Sequence, residues 1–241
     1  MATREEFLRR VREEMQKTKG LFPAEATVRP AAPSEELRGI RRTVEASWEA
    51  LLERFRAELE RVGGRFCRSR SPEEATDRVI ALAREREVRR IATWGRGTLD
   101  RLLPAERLEA AGFEVREGSP VGFGGTDRGE LQGWLARADL GVTGADFAVA
   151  ETGSLILTSG PGRGRGVSLL PPYHVALFGR AQLLPGLDEV GVAFEALHAS
   201  GGLEGASITF ITGPSRTADI ELTLTRGVHG PKEVHVIFVE G

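Results

Sequence analysis

Two carboxylates lie five residues apart in a stretch of small and apolar residues, TGADFAVAETGS at positions 143–154. Burial among such neighbours would shift the pKa values of Asp146 and Glu151, as a general base or a nucleophile requires. Both are therefore candidate catalytic residues, and the adjoining Thr152 and Gly153 are candidate ligand-binding residues. The structural alternative is a pair of turn residues, with Asp146 holding a turn and Glu151 bonding to the backbone.

A second stretch, SGPGRGRGVS at positions 159–168, is rich in glycine and arginine. Glycines such as Gly162 and Gly164 let successive backbone N–H groups converge on an anion, and Arg163 and Arg165 can clamp a carboxylate or a phosphate. The stretch is not a P-loop, because no Gly-Lys-Ser/Thr follows, and its spacing does not match the dinucleotide fingerprint. A surface hairpin with solvated arginines is the alternative to a small-anion site.

The third candidate segment begins as an apolar strand, ITFI at positions 208–211, and enters a Gly-Pro turn followed by polar residues. Ligands of open α/β sheets bind beyond the carboxyl ends of the strands, which favours a site here. The alternative is that Ser215 or Thr217 caps a helix. The candidate ligand-binding residues are Gly213, Ser215, Arg216, Thr217 and Asp219. We expect the loops 146–153, 160–168 and 213–219 to line one cleft.

Residue types and spacing argue against several other chemistries. Cys67 is the only cysteine, so the chain forms no internal disulfide and by itself holds no cysteine-ligated zinc or iron–sulfur cluster. The four histidines never have the i, i+4 spacing of a helical metal site, and no Gly-x-Ser-x-Gly elbow occurs. His174 and His235 lie in apolar strand patterns typical of the core, whereas His229, between glycines, fits the mouth of a site. We predict no metal site and no cofactor in this chain.

The composition is typical of a globular protein. The chain has 241 residues, of which 40% are hydrophobic, enough for a sizeable core. A formal net charge of −2 offers no basic excess for phosphates, so we expect no nucleic-acid partner. No apolar run reaches the roughly 18 residues of a membrane span, and residues 1–20 are too charged for a signal peptide. These features predict a cytoplasmic protein.

The elements that must position these loops alternate between strand and helix. Amphipathic helical segments separate apolar strand segments at 90–94, 140–143, 173–178 and 234–239. This alternation predicts an α/β fold with a mostly parallel sheet flanked by helices. Three short strands between residues 140 and 158 predict a hairpin or meander. Residues 1–62 contain two amphipathic helices and no strands. We therefore predict an N-terminal helical arm at 1–62 and an α/β domain at 63–241.

Three longer segments carry a resemblance to a known family. In chain order they are TGADFAVAETGSLIL, GRGVSLLPPYHVALF and ITGPSRTADIELTLTRGVHGPKEVHVIF. In these segments the chain resembles the lactate utilization protein C family, specifically over about residues 139–241 and more loosely over 80–138. The resemblance implies an LUD domain, with a fold similar to the NagB/RpiA/CoA-transferase-like α/β sheets.

The resemblance also implies a part in the oxidation of L-lactate to pyruvate by a three-protein system. The B-type component of that system resembles this domain but carries cysteine clusters for iron–sulfur centres, so the single cysteine here fits the cluster-free C-type member. The implied partners are iron–sulfur lactate-utilization components and a small anionic metabolite, and this component either assembles the redox subunits or binds substrate.

Two further hypotheses stand beside the one that the resemblance implies. The first is an independent isomerase, hydrolase or transferase that acts on a small phosphorylated or CoA-linked metabolite. The second is a structural role, in which the long N-terminal helix is a dimerisation arm without chemistry.

Overall fold

The protein divides into a short N-terminal unit and a larger α/β unit. The computed structural model describes residues 3–17, 30–95, 99, 103, 105–119, 128–202, 207–218, 224–227 and 229–240. Residues Met1–Ala31 form the first unit, which contains helix α1 (Arg4–Lys17), and Ala32–Gly241 form the second. The division thus falls after Ala31 and not at residue 62, where the sequence predicted it, because the second helix packs into the α/β core.

Helix α2 (Pro33–Arg61) owes its place to an apolar stripe. Pro33 stands at the start of the helix, where its missing N–H removes no intrahelical hydrogen bond. Apolar residues at three- and four-residue steps turn one face inward, and Phe55 and Leu59 are completely buried. The ring of Phe55 packs edge-on against Phe178, with 5.1 Å between ring centroids. This stripe is the reason that α2 belongs to the α/β unit.

The other described helices are distributed along the α/β part of the chain. They are α3 (Pro72–Glu85), α4 (Ala105–Ala110), α5 (Arg128–Leu135), α6 (Gly166–Leu169) and α7 (Leu187–Ala199). Ser71 caps α3, since its Oγ accepts a hydrogen bond from the Glu74 N–H at 3.3 Å. No helix in the described part of the chain is both long and apolar enough to cross a membrane.

Twelve strands are described, and six of them form a parallel sheet. In chain order they are β1 (Arg65–Ser69), β2 (Arg90–Thr93), β3 (Glu114–Glu117), β4 (Leu140–Gly144), β5 (Phe147–Val149), β6 (Ser154–Thr158), β7 (Tyr173–Phe178), β8 (Leu183–Leu184), β9 (Ile208–Ile211), β10 (Arg216–Ala218), β11 (Leu224–Arg226) and β12 (Glu233–Val239). The parallel sheet has the order β1-β12-β7-β4-β2-β3. The predicted mostly parallel sheet flanked by helices is confirmed.

A second sheet has the strand order β8-β5-β6-β9. Strands β5 and β6 form the predicted antiparallel hairpin, and β9 pairs antiparallel with β6. Strand β4 does not join this hairpin but lies between β2 and β7 in the parallel sheet. The physical reason is burial, because every residue of β4 is buried and such a strand belongs in the centre of a covered sheet. Strands β10 and β11 form a separate hairpin.

Candidate functional site

The candidate site lies at the carboxyl edge of the parallel sheet. Trp94 follows β2 and Asp146 follows β4, so both residues leave the sheet at the same edge. The glycine-rich loop 159–168 reaches this edge, where the Gly95 N–H donates to the Gly162 carbonyl oxygen at 2.6 Å. The loop therefore lies where ligands of open α/β sheets bind.

Three hydrogen bonds hold the Asp146 carboxylate. Its Oδ1 accepts from Arg163 Nη1 at 2.8 Å, and its Oδ2 accepts from the N–H and the hydroxyl of Thr158 at 2.6 and 2.9 Å. The Asp146 and Arg163 side chains are each only 18% exposed. Because both carboxylate oxygens are engaged, this geometry favours a role in positioning Arg163 over the predicted catalytic role.

Trp94 leaves β2 with its indole inside the protein. The residue is 4% exposed, and its backbone N–H donates to the Val142 carbonyl oxygen at 3.1 Å. Among the residues that the structure describes, no acceptor lies within hydrogen-bonding distance of the buried indole Nε1. A cavity of about 10 Å³ adjoins the indole and is also lined by Arg163, Arg165 and Ser168. The site thus contains a buried donor beside two cations.

The glycines of this loop allow close approach of the backbone. A Cβ on Gly164 would collide with the carbonyl oxygen of Gly118, directly after β3. The Gly162 N–H, which the sequence predicted to face an anion, donates to the Ser119 Oγ at 3.1 Å. An anion at this loop would therefore be contacted chiefly by arginine side chains.

Arg165 is the exposed cation of the loop. It borders the cavity beside Trp94, and it forms no ion pair with any residue in the described ranges. Asp146, by contrast, neutralises Arg163. Of the two arginines of this loop, Arg165 is therefore the one whose charge an anion could meet.

Glu151 lies at the other end of the β5–β6 hairpin. Its exposed carboxylate accepts from the Leu187 N–H at 3.1 Å, at the start of α7, which is a helix-capping contact. Strand β5 separates it from Asp146, and at about 3.3 Å per residue this strand spans about 10 Å. The two candidate carboxylates therefore lie too far apart to act on one substrate atom. Thr152 and Gly153 belong to the same turn as Glu151.

The Gly213 turn lies along a groove of about 270 Å³. Ser215 and Arg216 line this groove together with the exposed His229, for which the sequence predicted a mouth or turn position. The Arg216 guanidinium donates a hydrogen bond to the Val62 carbonyl oxygen at the end of α2. Arg216 is therefore bound to the scaffold as well as bordering the groove.

The three predicted loops meet only in part. Ser168 lines both the cavity beside Trp94 and the Gly213 groove, so the glycine-rich loop adjoins both. Glu151 lines neither of them. Instead of one cleft, the described residues form two neighbouring depressions that share Ser168 and Thr209. The side chain of Thr217 and the whole of Asp219 lie outside the described residues.

Trp94 and Ser168 were not among the site residues predicted from the sequence. The signal for Trp94 is the segment Trp-Gly-Arg-Gly-Thr at positions 94–98, which follows an apolar strand as the third candidate segment does. A strand followed by glycine and polar residues is the same pattern that drew attention to Gly213. Ser168 gave no comparable signal, because its place in the site depends on how α6 packs.

Comparison with protein families identifies the domain. The family model of the LUD domain matches residues 52–239. This chain belongs to the LUD domain family. The matched range begins within α2, which agrees with the burial of that helix in the α/β unit.

Two proteins and one solved structure illustrate the relationship. Lactate utilization protein C of Halalkalibacterium halodurans is 36% identical over 168 residues, covering 70% of this chain and 69% of that protein. Lactate utilization protein C of an Exiguobacterium species is 30% identical over 240 residues, covering 99% and 96%. The crystal structure of a DUF162 family protein from Deinococcus radiodurans has a TM-score of 0.54 and 20% identity, covering 79% and 97%, which shows a shared fold.

Two histidines of the LUD domain lie in its parallel sheet, as predicted. His174 is completely buried, and its Nε2 lies 2.9 Å from the Thr143 hydroxyl on the neighbouring strand. Burial lowers the pKa of His174 to about 3, and the nearby His235 adds to the shift. Burial also lowers the pKa of His235, although its hydrogen bond to Glu233 opposes the shift. Within the described residues, no group of His, Cys, Asp and Glu could hold a metal ion.

A larger concavity of the LUD domain, of about 480 Å³, lies at the carboxyl ends of β7 and β12. Arg41 and Arg180 line it. Arg180 is paired with Glu45 at 2.6 Å and lies over the Trp48 ring, with 4.1 Å between the guanidinium carbon and the ring centroid. These partners already engage Arg180, and the cavity beside Trp94 adds a buried donor with no acceptor among the described residues, so that cavity is the stronger candidate for an anion site.

Proposed function

We propose that this protein takes part in lactate utilization as a component without a redox cluster of its own, acting together with iron–sulfur partner proteins. The observation that carries the proposal is the similarity to a Lactate utilization protein C along 99% of this chain and 96% of that protein. Electrons removed from lactate need a redox centre, and one cysteine is too few for an iron–sulfur cluster. The redox centre would therefore belong to the partners.

Of the two roles open to such a component, the geometry of the site favours binding of a small anionic metabolite. Asp146 fixes Arg163 at the carboxyl edge of the sheet, and beside it lies Arg165, which has no ion-pair partner in the described part of the chain. A fixed guanidinium and a free one are suited to orient a carboxylate. Assembly of the redox subunits requires no such cluster of cations, although it is compatible with one.

Reconstitution tests the proposal. The purified chain is combined with the iron–sulfur components from the same organism, and reduction of an artificial electron acceptor is followed with L-lactate as donor. We expect no activity from this chain alone and activity from the complete set that is lost when this chain is omitted. Oxidation of lactate by the isolated chain, or full activity of the partner set without it, would contradict the proposal.

The alternative is an independent enzyme for a phosphorylated or CoA-linked metabolite, with Asp146 as base or nucleophile. The hydrogen bonds from Arg163 and Thr158 to both carboxylate oxygens argue against this, because a base needs a free oxygen within reach of the substrate. Turnover of such a metabolite by the isolated chain, abolished by Asp146→Asn, would favour the enzyme.

A further inference from the structure

The indole N–H of Trp94 is a donor in need of an acceptor. A buried donor that makes no hydrogen bond costs about 1–3 kcal/mol, so buried polar atoms nearly always have partners. Trp94 is 4% exposed, and no residue of the described ranges accepts from its Nε1. Phenylalanine would fill the same apolar space without this cost. The N–H therefore calls for an acceptor that the described residues do not supply.

The surroundings of this N–H define the charge of the acceptor. Arg163 and Arg165 line the same cavity, which Ser168 also borders, with its hydroxyl donating to the Arg165 carbonyl oxygen at 3.2 Å. Asp146 cancels the charge of Arg163, so among the described residues that line the cavity one positive charge is left, on Arg165. An anion with a single negative charge complements this one cation and the neutral indole N–H.

The size of the cavity limits what can enter. About 10 Å³ is close to the space of one water molecule, so a single oxygen atom fits beside the indole. A carboxylate can place one oxygen there and keep the other outside, within reach of the exposed Arg165. A phosphate carries more oxygens and more charge than these donors satisfy.

We infer that Trp94, Arg163 and Arg165 form a binding site for the carboxylate of a short-chain monocarboxylic acid, with Trp94 Nε1 donating to one oxygen and Arg165 pairing with the other. The inference rests on the proposed function and extends it by naming the class of ligand and the residues that bind it. In this arrangement Asp146 is a positioning residue, because it acts on the ligand through Arg163.

The three tryptophans of the chain make a direct test possible. A ¹⁵N–¹H spectrum of the full chain should contain three indole N–H peaks, and Trp94→Phe identifies the peak of Trp94. Titration with sodium L-lactate should move this peak in a saturable way. The peak of Trp134, whose Nε1 donates to Glu114 at 3.1 Å, should stay in place and report that the fold is intact.

Variants separate binding from folding. Arg165→Gln should raise the dissociation constant at least tenfold, while Arg61→Gln, which removes an exposed arginine paired with Glu58, should leave it unchanged. Trp94→Phe should also weaken lactate binding at least tenfold, measured by calorimetry.

Three results would overturn the inference. The first is a Trp94 peak that no short-chain carboxylate moves, and the second is a peak that inorganic phosphate moves more readily than lactate. The third is an Arg165→Gln chain that binds lactate as the wild type does. An Arg165→Gln chain that binds no lactate yet supports full lactate oxidation in the reconstituted set would separate this site from the chain's proposed function.

Discussion

Asp146 and Arg163 are largely removed from water, so each side chain depends on the other. Asp146→Asn leaves a mostly buried guanidinium unpaired, and we expect the free energy of unfolding in urea to fall by about 2–3 kcal/mol. The double variant Asp146→Asn/Arg163→Gln should lose less free energy of unfolding than the two single variants together, because neither charge is then left without its partner. The exposed Arg61→Gln is the control and should cost less than about 0.5 kcal/mol. An equal loss in the free energy of unfolding for Asp146→Asn and Arg61→Gln would contradict the claim that the Asp146–Arg163 pair stabilises the fold.

His174 should make the protein sensitive to acid. Its pKa is about 3 in the folded protein, below the ordinary value of 6.5, so between these values the unfolded chain binds a proton that the folded chain does not. Above pH 6.5 His174 is neutral in both states and does not lower the free energy of unfolding. Below pH 6.5 the free energy of unfolding falls with the pH, by up to about 1.4 kcal/mol per pH unit. Lowered pKa values at His235 and Glu233 act in the same direction.

The His174→Gln variant isolates this effect, because the glutamine amide can still bond to Thr143 but does not titrate. Between pH 6.5 and pH 4.5, its loss of stability in urea titrations should be smaller than that of the wild type by about 2 kcal/mol. Identical pH profiles for His174→Gln and the wild type would refute the argument.

At the scale of elements, the glycine-rich loop is fixed by the close approach of two backbones. Gly164→Ala would drive a methyl group into the Gly118 carbonyl oxygen, and we expect a loss of about 1–3 kcal/mol in the free energy of unfolding. Gly191 in α7 is the matched control, because a Cβ there meets nothing within 4 Å. Gly191→Ala should stabilise the protein by up to about 1 kcal/mol, since alanine favours the helix. We therefore expect the free energy of unfolding to fall in Gly164→Ala and to rise in Gly191→Ala.

At the scale of the whole molecule, the two units should differ in what they contribute to stability. Phe55 of α2 is completely buried and contacts two other aromatic rings, so Phe55→Ala should cost about 3–5 kcal/mol. Phe7 of α1 is 61% exposed, and Phe7→Ala should cost less than about 0.5 kcal/mol. Both are measured by urea unfolding at 25 °C, and a comparable loss from the two changes would be evidence against this division.

Deletion provides a second test at this scale. Removal of residues 1–31 should leave the unfolding midpoint nearly unchanged, because the α/β unit begins at Ala32. Removal of residues 1–62 should prevent folding, because it takes away the apolar stripe of α2 from the core. If the two truncated chains unfold alike, α2 is not part of that core.

The sequence by itself determined the class of the fold, and it predicted site residues in the glycine-rich loop that border the cavity beside Trp94. Alternating apolar strands and amphipathic helices were enough for a mostly parallel sheet, because burial on both faces leaves continuous apolar runs such as β4 and β7. Arg163 and Arg165 were identified because glycine and arginine are the residue types that bring a backbone and a cation to an anion. Local composition is enough for these two predictions, because neither depends on contacts between residues far apart in the chain.

Only the tertiary structure decided which of these residues meet. Asp146 and Glu151 are equivalent in the sequence, yet β5 sends them to opposite ends of a hairpin, one to Arg163 and the other to α7. The burial of the Trp94 indole beside Arg165, and the inclusion of α2 in the α/β unit, depend on contacts between residues far apart in the chain. Such contacts follow from how whole elements pack, and no window of neighbouring residues contains them.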